Sequence, residues 1–86
     1  MKPRSDVDPH LHTLRSVARA AGRTTDLEGA RFNLFAAFEA CDAARARAWA
    51  TACRAAVLAL PDERGDLREL GLDACDAIEE AIGVES

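Results

Sequence analysis

Residues 25–60 run for 36 positions without a proline and carry one glycine, Gly29. Proline breaks a helix interior by removing an N–H donor and clashing with the preceding turn. A run this long without one, dominated by Ala, Leu, Arg and Glu, is built from the strongest helix formers. It also holds all four aromatic residues (Phe32, Phe35, Phe38 and Trp49), two of the three cysteines and thirteen alanines. Nothing else in the chain offers so much apolar surface, so the rest is expected to fold around it.

Both ends of the stretch are marked. Thr25-Asp26-Leu27-Glu28 reads as a capping box, with Thr25 and Glu28 each satisfying the other's backbone N–H. Pro61 disfavours helix at the residue before it. Steps of about 100° per residue put Leu27, Leu34, Phe35, Phe38, Cys41, Trp49, Ala52, Cys53, Ala56 and Leu60 on one broad face. Asn33, Arg47, Thr51 and Arg54 fall opposite. Asp42 and Arg45 interrupt the apolar face. They read as an ion pair at its edge, as a polar layer in a helix–helix interface, or as a break at which Asp42 caps a second helix.

The flanking segments are shorter. Residues 1–7 are polar and expected to fray. Asp8-Pro9 resembles a helix start, with an acid at the N-cap and proline at the first helical position. The helix it opens, about 9–21, carries Leu11, Leu14, Val17, Ala18 and Ala21 at three/four spacing and stops at Gly22. Residues 61–65 compose a turn. Asp66-Leu67-Arg68-Glu69 repeats the capping signature and opens a last helix, about 66–82, with an apolar line of Leu67, Leu70, Ala74, Ile78 and Ile82. Gly71 falls inside that helix as a point where it could split, with Asp73 capping the second part. The expected fold is one all-α domain, a three- or four-helix bundle built on one long central helix.

Size and charge narrow the function. A chain of 86 residues buries only about 60–65% of its unfolded surface, and alanine contributes little burial per residue. Oligomerisation is the usual remedy, so the chain is expected to form a homodimer with its central helices antiparallel. No run of 18 apolar residues is present to span a membrane. No apolar signal-peptide core follows the start, and three cysteines without tight spacing suit reduced thiols. A cytoplasmic protein is expected. Charge is uneven: residues 1–54 carry a net +3 and residues 55–86 a net −7. Such asymmetry suits a basic face with a partner, association of opposite ends, or simply solvated helix faces.

Catalytic, metal and cofactor readings find no constellation. His10 and His12 are two apart, about 200° around a helix, and so cannot easily share an ion. Cys41 and Cys53 would stand about 18 Å apart along one helix; the spacing leaves either free to approach Cys75 on the last helix without demanding it. The cysteines read as buried structural thiols. Neither a nucleophile–base order nor a glycine-rich phosphate loop occurs. The acids Asp76, Glu79 and Glu80 read as solubilising surface charges.

Two short segments resemble known families. Residues 13–25, Thr-Leu-Arg-Ser-Val-Ala-Arg-Ala-Ala-Gly-Arg-Thr-Thr, resemble the first helix and turn of a helix-turn-helix of the lactose-repressor type, with Ala18 and Gly22 at the spacing that lets two helices pack across a tight turn. That resemblance implies DNA contacts from Arg23, Thr24, Thr25, Glu28 and Arg31 on and before the second helix. The chain departs from the pattern at Arg23, where an apolar residue belongs, and at Glu28 and Arg31, which stand at core positions. Residues 69–79 resemble the acyl-carrier-protein signature, but the phosphopantetheine-bearing serine is replaced by Ala74, so no prosthetic group could attach. The leading expectation is a small interaction or regulatory protein that binds another macromolecule, with Phe32, Phe35, Phe38 and Trp49 as core or interface. The alternative is a DNA-binding transcriptional regulator with a degenerate helix-turn-helix at about 13–31, using Thr24 to Arg31.

Overall fold

The computed structural model describes residues 1–22 and 26–83. They form four α-helices, α1 (Arg4–Ala21), α2 (Leu27–Glu39), α3 (Ala43–Leu58) and α4 (Gly65–Gly83), with a 3₁₀ turn at Asp62–Arg64 and no strand among the described residues. The all-α bundle expected from the sequence is present; the single long central helix is not.

Residues 25–60 divide at 40–42. Cys41 takes a left-handed conformation, φ 53°, which no helix interior tolerates. Asp42 follows in extended backbone and its Oδ1 accepts from the Arg45 N–H at 3.1 Å, as an N-cap. Of the three sequence readings of Asp42 and Arg45, the capped break is the one the chain adopts. The Thr25 half of the capping box lies outside the described residues. Asp26 is the N-cap of α2, without a side-chain cap bond.

The break lets the helices close into a ring. Each helix packs against two neighbours, in the order α1–α2–α3–α4–α1. Short connections make successive helices antiparallel, and side-chain cross-links tie neighbours together. Arg4 at the start of α1 pairs with Glu39 at the end of α2, 3.0 Å apart, and its guanidinium lies over the Phe35 ring. Arg64, just before α4, donates to the Ala20 carbonyl at the end of α1. Arg54 of α3 reaches Asp76 and Glu79 of α4.

Two expectations about the flanks are corrected. Helix α1 begins at Arg4 rather than Pro9, and Pro9 lies inside it. Residues 1–7 are therefore not a frayed end: Val7 is buried, Met1 packs on the core, and the Lys2 N–H donates to Ala81 O at 3.0 Å. Val7 falls one turn before Leu11 on the same face, so its burial and the Arg4 contacts favour the extra turn. In α4, Asp66 is in the first turn rather than at the cap, and Gly71 does not split the helix. Gly71 instead lets α4 pack tightly on α3: a Cβ placed there would stand 2.8 Å from both methyls of Val57. Gly22 ends α1 at φ 73°, in the region where glycine carries no steric penalty.

The core is made of small pieces. Phe38, Leu14, Leu27, Leu34 and Ile78 are its largest fully buried members, and alanines from every helix fill between them. No buried residue among those described is polar or charged.

Candidate interaction surface

The four aromatics separate. Phe38 enters the core at 2% exposure, Phe35 packs half-buried beneath Arg4, and Trp49 is half-buried on α3. Phe32 stands 62% exposed on the outward face of α2. The structure thus assigns Phe38 to the core and leaves Phe32 and the edge of Trp49 at the surface. Cys41, expected on the apolar face, is exposed because it lies in the turn between α2 and α3. Leu70, expected in the apolar line of α4, is also exposed.

Between α2 and α3 a shallow groove opens along the outside of the bundle. Its floor and far wall are Trp49, Ala52, Ala55, Ala56 and Ala59 of α3, and its near wall is Gly29, Ala30 and Asn33 of α2, with Asp26 at one end. The lining is predominantly apolar. The physical cause is side-chain size. Where two helices diverge at the surface, alanine and glycine leave the gap unfilled, whereas Leu or Met would close it. The α3 positions recur at three/four spacing, so they form one stripe. Arg45, four residues before Trp49, continues it on the exposed side. Trp49, Ala52 and Ala56 belong to the apolar face expected from the sequence, whereas Ala55 and Ala59 fall outside it. Their spacing was the available signal. Asn33, expected on the opposite face, lines the groove, and its Nδ2 donates to Gly29 O at 2.8 Å.

The residues implied by the DNA-binding resemblance fare differently. Arg23, Thr24 and Thr25 lie outside the described residues. Arg31 pairs with Glu28 at 3.1 Å, and its side chain is only 15% exposed, with Nε buried and unbonded. Its guanidinium is engaged by Glu28 one turn earlier on the same helix.

Cys53 and Cys75 are buried and unbridged at the α3–α4 contact. Burial, reinforced by the neighbouring Cys75, pushes the Cys53 thiol up to about 12, against a smaller opposing pull from Arg31. Burial pushes Cys75 up to about 11. Both are neutral thiols at ordinary pH and unreactive as nucleophiles. Asp76 and Glu79, expected as free surface acids, instead hold Arg54 at 2.5 and 2.8 Å, and hydrogen bonds to Glu79 and then Asp76 keep its guanidinium more firmly protonated than usual. His10 is half-buried and His12 exposed. Among the described residues no group of three or more His, Cys, Asp or Glu is placed to hold a metal ion, and no helix is long and apolar enough to cross a membrane. The chain matches no family model, no curated protein and no solved structure.

Proposed function

We propose that this is a small protein-interaction module that works by self-association, presenting its α2/α3 side as the binding surface. One observation carries this: the apolar groove between α2 and α3, which no described side chain of the chain covers, with Phe32 exposed one turn beyond Gly29. Exposed apolar surface that runs along two helices is costly to leave in water and marks interaction sites. Among the described residues, Phe32, Leu58 and Leu70 are the large apolar residues left exposed. An all-helical body rich in alanine also gains from association, since its own core is built from small side chains. Three free thiols suit a reducing compartment such as the cytoplasm. A regulatory role, with a second macromolecule bound by the assembled dimer, is the wider form of the same proposal.

Light scattering across micromolar concentrations tests it. The expected result is a mass moving from that of the 9.2 kDa chain toward twice that value. A cooperatively folded species that stays at the monomer mass throughout would overturn it.

A further inference from the structure

We infer that the occupant of the α2/α3 groove is the same groove of a second copy, with α3 crossing its twin antiparallel about Ala52. This inference rests on the self-association proposed above and specifies its geometry.

The first ground is charge. The groove side of α3 begins at Arg45, and α3 carries Arg45, Arg47 and Arg54 without a single acid. The groove closes at its other end beside Ala59 with the exposed Asp26. One end is therefore basic and the other acidic. Parallel pairing would set like charges together. Antiparallel pairing sets Arg45 of each copy beside Asp26 of the other, twice per dimer, as a two-fold axis requires. Opposite charges then meet at both rims and the apolar lining meets at the centre, the usual layout of an interface.

The second ground is shape. Arg45, Ala52 and Ala59 are spaced by seven, and Ala48 and Ala55 fall between them at the same helical face. Ala52 is the midpoint, so a two-fold axis there brings 45 opposite 59 and 48 near 55. The same axis sets Trp49 of each copy opposite Ala55 of the other, so each indole meets a methyl group rather than its twin, and the alanines leave room for it between the helices. Trp49 flanks the stripe on the side toward α2, and Phe32 adds an exposed ring on α2.

The test combines charge exchange with cross-linking in the full chain. Neither Arg45 nor Asp26 contributes a side-chain cap bond, so R45E and D26R should fold as well as the parent, which circular dichroism checks. Each single variant is expected to raise the dimer dissociation constant on the order of a hundredfold, since a like-charge pair arises at both rims. The double variant R45E/D26R is expected to return to within about threefold of the parent. In a C41S background, A52C is expected to cross-link to its twin under mild oxidation and S16C, exposed on α1 across the ring from α3, is not. If the parent dimerises but the single variants do so equally well and A52C stays uncrosslinked, this geometry is overturned while self-association stands. If the parent never dimerises, self-association itself fails and the geometry falls with it.

Discussion

Phe38 and Phe32 lie six residues apart on α2 and should behave oppositely. Phe38 is sealed among core side chains, so F38A is expected to cost about 3–5 kcal/mol, from lost transfer free energy and the cavity left behind. Phe32 leaves the chain's own core unaffected, so F32A is expected to change monomer stability by less than about 0.5 kcal/mol. Urea denaturation of the two variants at low concentration checks the contrast. The thiols make a second pair of opposites. A 5,5′-dithiobis(nitrobenzoate) assay under native conditions should find one fast thiol, the exposed Cys41, and two slow ones. Cys53 and Cys75 are held protonated in the fold, above the ordinary value of 9.0. The native state therefore retains protons that the unfolded chain has released. Their contribution to stability is complete below about pH 9 and declines as pH rises through 11 and 12. Thermal melts of the parent between pH 8 and 11 should show a loss that is smaller in C53A/C75A; equal losses would rule out the thiols as its source.

At the scale of elements, the turn at 40–42 decides the architecture. A continuous helix over 25–60 would reach roughly 54 Å, and the chain has too little remaining surface to cover it. Breaking it yields two helices, each flanked by two others. D42A is expected to lose about 1 kcal/mol with the N-cap bond to Arg45, and C41G to gain up to about 1 kcal/mol, because glycine takes φ 53° without strain. Chemical denaturation midpoints give both signs directly. Glycine works in the opposite sense at position 71. Alanine there gains helix propensity, worth about 1 kcal/mol, but its methyl would meet the two Val57 methyls at 2.8 Å. Val57 is β-branched and stiff, so a net loss of about 1–2 kcal/mol is expected, and G71A/V57A should be less destabilised than the sum of its parts. Helix type, the stop at Gly22 and the burial of Leu27, Leu34, Phe38, Cys53 and Leu60 were legible from periodicity and turn chemistry. The break was legible only as one of three readings, because Asp42 caps a helix and pairs with arginine equally well on paper. The early start of α1 was not legible: Asp8-Pro9 has the form of a helix start, and only burial of Val7 against the bundle overrides it. The groove was half legible. Trp49, Ala52 and Ala56 were placed on the apolar face, but a stripe of alanines reads alike whether it packs against its own chain or faces outward.

For the whole molecule, the antiparallel ring of four helices leaves one side under-filled. The acidic α4, with six acids against one arginine, lies next in the ring to an α3 that carries only arginines. Arg54 joins the two through Asp76 and Glu79, and the exposed bonds it makes are each worth no more than about 1 kcal/mol. The imbalance noted in the sequence is therefore partly consumed inside the bundle, and the remaining arginine on the groove side of α3 is Arg45. If that side is an interface, Trp49, the one tryptophan of the chain, reports on it without any modification. The most direct measurement is acrylamide quenching of Trp49 fluorescence from nanomolar to high micromolar concentration, with mass followed by light scattering on the same samples. Quenching should fall as the mass rises from 9.2 kDa toward twice that value, with a shared midpoint. Quenching and mass that both stay constant across the range would contradict the account.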